Sequence, residues 1–302
     1  MKSLVDWLAT VENRAFCVYS HAAERFRGDV ALNHFFMDLA SDEFCHTQYL
    51  HEASESLKDE DSVDIPVAVD EQRKAQLESP FDEVEKAFSA EALTSEQVID
   101  CIAKTEFSEW NDIYLFVMNS LQKRGPSFMR MAAEVERHRR YIDHTIGKMP
   151  GGPERMEKFK SFPHVWKERI LIVDDSPTIS NLLTALCRDM GSITVVQDGA
   201  EALKRVGESY YDAIISDVNM PVMNGLDFYK KAAAADPLIR DRFLFFTAET
   251  STRELDFFAA QSVKYLEKPA GISKLKKIVS DIISLPPGCP GLPSMPSARA
   301  PR

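Results

Sequence analysis

Residues 1–146 repeat their apolar positions at intervals of three and four, the spacing that keeps one face of an α-helix buried. Four long helices are predicted, over residues 4–27, 30–57, 95–123 and 127–146. Gly28 and Asp29 separate the first two, and Gly125 with Pro126 divides the last two. Thr94 followed by Gln97 is a capping-box signal for the third. Between them, residues 58–94 are acidic and contain FDEVEKAF, a short helix by its spacing, in a stretch long enough to cross the length of a bundle. The pattern changes after GKMPGGPERMEKFKSFPHVWKE, residues 147–168. Short apolar runs, RILIV, DAIIS, RFLFF and SVKYLE, then alternate with helical stretches, as in βα units around a parallel sheet. The expected organisation is a helical domain over 1–148, a linker over 149–167, an α/β domain over 168–285 and an extended tail rich in Pro, Gly and Ser over 286–302.

Each helical stripe carries polar groups where only apolar ones are needed. Glu12 follows Val5 and Leu8, Glu43 and His46 lie between Leu39 and Leu50, Glu106 follows Ile102, and Glu134 and His138 follow Met131. A buried, unpaired carboxylate is costly, so it is neutralised, paired or bound to a metal. Two readings stay open at this level: a layer of metal ligands, or a bundle whose carboxylates snorkel or hydrogen-bond beside satisfied core imidazoles. Glu109 is either a terminal ligand or a solvated acid. His21, His34, His51, His144 and His164 lie off these faces or lack matched carboxylates, and are expected at the surface.

In the second half the apolar runs end in reactive groups. RILIV ends in Asp174 and Asp175, DAIIS in Asp217, RFLFF in Thr247, and SVKYLE in Lys268. The carboxyl ends of neighbouring parallel strands share one crevice, so these side chains converge. Hard oxygen donors suit Mg²⁺, and a carboxylate beside an ammonium and a cation can act as a nucleophile toward phosphorus. Asp198, Asp212 and Asp236 sit beside turn residues and are expected as turn formers or caps.

Charge and composition exclude other classes. With 47 acidic against 36 basic side chains the net charge is −11, which repels nucleic acid, and no helix-turn-helix pattern follows the second half. Neither half is basic: residues 1–167 hold 20 Lys+Arg against 30 Asp+Glu, and residues 168–285 hold 14 against 17. Five scattered cysteines without a CxxC pair suggest neither a disulfide framework nor a cysteine zinc site, and point to a reduced, cytoplasmic protein. Asp6 and Glu12 interrupt the first apolar segment, and no run reaches the about 18 apolar residues that span a bilayer, so neither secretion nor membrane insertion is expected.

The motifs LIVDDSP, IISDVNMPVMNG, FFTA and YLEKPA resemble those of the receiver domain of two-component response regulators, of the chemotaxis type. The resemblance implies a flavodoxin-like (βα)₅ fold in which Asp217 is phosphorylated by a sensor histidine kinase. It assigns Mg²⁺ to Asp174, Asp175, Asp217 and the Asn219 backbone carbonyl, a phosphoryl oxygen to Thr247 and the phosphate charge to Lys268. Tyr265 matches the aromatic that swings inward as Thr247 moves. Asn219 and Glu249 occupy the two positions that tune lifetime in this family, and their identities imply a short-lived phosphoryl state.

The first half resembles the rubrerythrin branch of ferritin-like di-iron proteins, through its four stripes and the EFCH spacing of Glu43 and His46. That likeness implies an all-α ferritin-like four-helix bundle and up to two Fe, with Glu12, Glu43, His46, Glu106, Glu134 and His138 as candidate ligands and Tyr19 as a family tyrosine. The fourth helix departs from the pattern. Glu134 and His138 are four apart rather than three, and Val135 stands where the carboxylate is expected. The cysteines of an accompanying rubredoxin module are absent. Together the two resemblances imply a response regulator whose helical domain serves as redox or oxygen sensor, or as output. The alternative is a di-iron oxidase or peroxidase gated by receiver phosphorylation, and a third reading is a metal-free docking protein. A homodimer is a candidate assembly.

Overall fold

Along β1 (Arg169–Val173) the side chains alternate between two buried layers, as the pleat of a strand dictates. Leu171 and Val173 join Ile214, Phe228, Phe243 and Phe245 on one face, while Ile170 and Ile172 join Leu183, Ile215, Leu244 and Leu266 on the other. A strand buried on both faces is the mark of a parallel sheet covered by helices. The computed structural model describes residues 1–57, 70–106, 109–149, 166–248 and 251–284, with only the backbone of 109–112 and 115. Its described residues divide into a helical unit, drawn from Met1–Arg124 and the stretch that starts at Glu134, and an α/β unit drawn from Gly125–Ala133 and the stretch that starts at Trp166.

In the α/β unit, five parallel strands lie in the order β2-β1-β3-β4-β5. They are β1, β2 (Ser192–Val196), β3 (Ala213–Ser216), β4 (Phe243–Thr247) and β5 (Lys264–Glu267). This is the flavodoxin-like order, with its switch point between β1 and β3. The helices are α7 (Pro177–Cys187), α8 (Gly199–Glu208), α9 (Gly225–Ala235), α10 (Thr252–Gln261) and α11 (Ile272–Ser284). Caps fix where they start. Asp198 accepts from the backbone N–H groups of Ala200 and Glu201, and Asp236 caps the short 3₁₀ segment Pro237–Arg242, both as expected. Asp212 departs from that expectation. It is buried, and its Oδ2 accepts from the Trp166 indole at 2.9 Å and the Arg169 backbone N–H at 2.8 Å.

The helical unit comprises α1 (Lys2–Arg25), α2 (Val30–Ser56), α3 (Glu71–Ser89), α4 (Ser95–Glu106), α5 (Glu109–Leu121) and, from Glu134 on, α6 (Pro126–Gly147). α1 and α2 run antiparallel: Lys2 Nζ reaches Ser54 at 2.6 Å at one end, and Asn33 donates to the Ala23 carbonyl at 2.8 Å at the other. Between them Leu8, Tyr19, Phe36, Leu39 and Leu50 are fully buried, each such side chain contributing about 1.5–3 kcal/mol on leaving water. Asp29 caps α2, and Thr94 and Gln97 form the reciprocal cap expected at α4. α3 extends well beyond FDEVEKAF. It is fastened to α1 by Arg14, which binds Glu78, Asp82 and Glu85, and by the Trp7 indole on Glu78.

Among the described residues, Cys17, Cys101 and Cys187 are free. Among the described residues no helix is long and apolar enough to cross a membrane.

Candidate functional site

β1 and β3 end side by side, and the backbone carries the pairing one residue further: Asp174 N–H donates to Val196 O at 3.1 Å and Asp217 N–H to Val173 O at 2.9 Å. The two carboxylates are thereby brought to one mouth. Lys268 follows β5, its own N–H held by Thr247 O at 2.7 Å, and its Nζ spans both acids, 2.8 Å from Asp174 Oδ2 and 2.9 Å from Asp217 Oδ2. The other oxygens are held by backbone: Ser176 N–H donates to Asp174 Oδ1 at 2.9 Å and Val218 N–H to Asp217 Oδ1 at 2.6 Å. Asp174 is buried, Asp217 and Lys268 partly so, and Asp175 and Asn219 are exposed. Thr247 is fully buried, and its hydroxyl has no hydrogen-bond partner among the described residues.

Oxygens of Asp174, Asp175 and Asp217 lie within 4.8 Å of one another, so one cation can touch all three. An all-oxygen donor set fits Mg²⁺, which takes one or two carboxylates and keeps its waters. Asp174, Asp175, Asp217 and Lys268 are gathered here and Thr247 flanks them, whereas the Asn219 carbonyl, Glu249 and Tyr265 are not placed in the group. The side chain of Asn219 is exposed, and Glu249 lies outside the described residues. Tyr265 is 43% exposed, its ring stacked on Phe258 at 5.0 Å, so it points away from the pocket. The loop from Asp217 to Gly225 closes tightly. Gly225 N–H donates to Val218 O at 2.8 Å, and a Cβ on Gly225 would meet the Asp217 carbonyl at 2.0 Å.

The helical unit gathers a second group. Glu12 of α1, Glu43 and His46 of α2, Glu106 of α4 and His138 of α6 meet in one layer, in two sets that share Glu43. His46 Nδ1 lies 3.0 Å from Glu43 Oε2 and 3.7 Å from Glu12 Oε2. His138 Nε2 lies 2.9 Å from Glu43 Oε1 and 3.7 Å from Glu106 Oε2. The 2.9 Å approach lacks hydrogen-bond geometry, and both of its atoms are buried without a hydrogen-bond partner among the described residues. Tyr19 donates to Glu106 Oε1 at 3.1 Å. Glu134 joins neither set and instead accepts from the Tyr49 hydroxyl at 3.1 Å. The side chain of Glu109 lies outside the described residues, as does His164, while His21, His34, His51 and His144 are exposed, as expected.

Burial, reinforced by the charge of Glu43, raises the Glu12 carboxyl to about 8. Burial pulls the His46 imidazole down, but Glu43 and Glu12 outweigh it and raise it to about 10. His138 is likewise held well above its ordinary value, Glu43 outweighing burial, and His138 in turn keeps Glu43 below its own. Burial and the Glu106 charge hold the Tyr19 hydroxyl far above the usual phenol range. Mixed imidazole and carboxylate donors suit first-row transition metals, and a cation would take the place of these protons. Neighbours that the helical periodicity does not flag include Asp42, 2.9 Å from His138 Nδ1, and Tyr114, whose hydroxyl is held well above the usual phenol range by burial and then by the charges of Glu12, Glu43 and Glu106. Asp42 had one signal, its place beside Glu43 in SDEFCH.

Comparison with known proteins bears on the α/β unit. Residues 170–280 match the response regulator receiver domain. Chemotaxis protein CheY-3 of Vibrio cholerae is 32% identical over 38% of this chain and 90% of its own length. Protein-glutamate methylesterase/protein-glutamine glutaminase 2 of Caulobacter vibrioides is 33% identical over 34% of this chain and 30% of its own, and the chain spans only about a third of such methylesterase relatives. The structure of Vibrio cholerae chemotaxis protein CheY4 is 32% identical, covers 39% of this chain and 99% of that one, and has a TM-score of 0.36. Through its C-terminal α/β unit, the chain belongs to the response regulator receiver domain family.

Proposed function

We propose that this chain is a phosphorylation-switched regulator, with Asp217 as the phosphoryl acceptor and a ferritin-like helical unit that holds a two-metal centre as sensor or output. The observation that carries the reading is the meeting of Asp174, Asp217 and Lys268 beside a buried Thr247 hydroxyl without a partner.

A carboxylate oxygen of Asp217 bonds to phosphorus while the bond from phosphorus to the donor's leaving group breaks, the donor keeping the electron pair. Lys268, already against both carboxylates, offsets charge on the phosphoryl oxygens. Mg²⁺ held by Asp174, Asp175, Asp217 and the Asn219 carbonyl would supply electrostatic stabilisation of the transferring group. Thr247 can donate its hydroxyl hydrogen to a phosphoryl oxygen, which gives the buried group its missing partner. That pull vacates space toward which Tyr265 turns from its exposed position on Phe258. The donor class is a phosphohistidine of a sensor kinase or a small acyl phosphate.

In the helical unit, Glu12, Glu43, His46, Glu106 and His138 would hold two metal ions, iron by the rubrerythrin likeness, with Glu43 shared. The meeting of three carboxylates and two imidazoles from four helices, in two sets that share Glu43, supports this over a metal-free core, because buried charged groups gather at such cost mainly where a cation can hold them.

Intact-mass spectrometry after incubation with acetyl phosphate and Mg²⁺ tests the acceptor. The wild-type chain gains one phosphoryl group, and Asp217→Asn or chelation of Mg²⁺ abolishes the gain. Equal uptake by Asp217→Asn would refute the assignment.

A further inference from the structure

Lys268 carries the one positive charge that spans Asp174 and Asp217, and it carries it on a flexible four-carbon stem, so whatever holds its ammonium decides where that charge acts. Two holders are the carboxylates, Asp174 Oδ2 at 2.8 Å and Asp217 Oδ2 at 2.9 Å. The third is an aromatic face. Nζ lies over the ring of Phe246, 5.2 Å from its centroid, inside the roughly 6 Å over which a cation is attracted by the negative face of a ring.

The sheet explains the meeting. Phe246 of β4 pairs with Leu266 of β5, and both side chains lie in the layer that also holds Ile172 and Leu244. Two residues after Leu266 the pleat returns Lys268 to that face, its N–H continuing the ladder to Thr247 O at 2.7 Å. From there the stem reaches Asp217 after β3 and Asp174 after β1, and β4 lies between β5 and both of them. Phe246 is 6% exposed and the Lys268 side chain 13%, so the contact is largely shielded from water, the condition under which a cation over a ring is held most strongly.

The carboxylates cannot hold the ammonium alone throughout the transfer. The oxygens of Asp174, Asp175 and Asp217 lie close enough to share one cation, which would draw on the groups that hold Lys268 and repel its like charge. A phenyl face is neutral and offers Mg²⁺ no oxygen, so its hold on the ammonium survives that competition. We infer that Phe246 is a positioning residue for phosphoryl transfer: its ring keeps the Lys268 ammonium in the pocket while the carboxylates are engaged, where the phosphoryl oxygens arrive. The inference rests on Asp217 as the acceptor, as proposed above.

The test uses the full chain with Phe246 replaced, by codon suppression, with mono-, di- and trifluorinated phenylalanine, which keep the shape of the ring while draining its negative face. Phosphoryl uptake from acetyl phosphate at saturating Mg²⁺, followed by intact mass, slows in step with the number of fluorines. Phe246→Leu, apolar but without a ring, slows it about 5- to 30-fold. Calorimetric titration with Mg²⁺ weakens in the same order, a readout that needs no turnover. Rates and Mg²⁺ affinities that stay level across the fluorinated series, whatever Phe246→Leu does, would reduce the ring to a space filler and overturn the inference, leaving the acceptor standing. Absence of uptake by the wild-type chain would overturn the acceptor and the inference together.

Discussion

Thr247 sits at the end of β4 with no exposed surface and with a hydroxyl that no described group satisfies. A buried polar group without a partner costs about 1–3 kcal/mol, so the resting protein holds it at the expense of stability. Thr247→Val keeps the shape and removes the liability. Urea unfolding of this variant is expected to show a gain of about 1 kcal/mol, while Tyr265 fluorescence no longer responds to acetyl phosphate; a loss of stability would mean that the hydroxyl is satisfied at rest. The identity of this residue was legible because an apolar strand ended on it, but its lack of a partner was not. The same division holds in the helical unit. Glu12, Glu43, His46, Glu106 and His138 were found as polar interruptions of apolar stripes, and five of six candidates converge. Glu134 shares the stripe of His138 yet meets Tyr49, because a stripe fixes a face of the helix and leaves the direction of a long side chain open.

At the scale of elements, the loop from β3 to α9 holds the acceptor's backbone in place. Asp217 O is closed over by Gly225, where any Cβ would intrude to 2.0 Å. Gly225→Ala is expected to cost about 2–3 kcal/mol by overpacking and to slow phosphoryl uptake, both measured on one preparation by urea unfolding and intact-mass kinetics. Wild-type stability in that variant would show that the loop gives way easily. Legibility varied with burial. The runs that became β1, β3, β4 and β5 were visible as apolar blocks bounded by turn or charged residues. β2, SITVV, is an edge strand with Ser192 and Val195 exposed, and so lacks the continuous buried run that marks the other strands. The spacing of FDEVEKAF marks only the part of α3 that buries Phe81 and Val84. Its remaining length is sustained by strong helix formers and by the Arg14 and Trp7 ties to α1, which lie far apart in sequence.

At the scale of the whole chain, two units of different construction carry two clusters of acids, each balanced in its own way. In the α/β unit one lysine spans two carboxylates at strand ends. In the helical unit two imidazoles held above their ordinary value by Glu43, together with a carboxyl that burial raises to about 8, offset the charge of a buried layer. The first arrangement follows from chain topology, since parallel strands deliver their ends to one crevice, and so it could be read from the sequence. The second depends on contacts between helices whose rotation no single stripe determines, which is why Asp42 and Tyr114 emerged only with the fold. Both clusters serve one account, in which phosphoryl transfer to Asp217 is the event the rest responds to. Borohydride reduction of the acetyl phosphate-treated chain, followed by peptide mass spectrometry, reads that event at a single residue. The account predicts homoserine at position 217 and at no other aspartate; homoserine elsewhere, or nowhere, would contradict it.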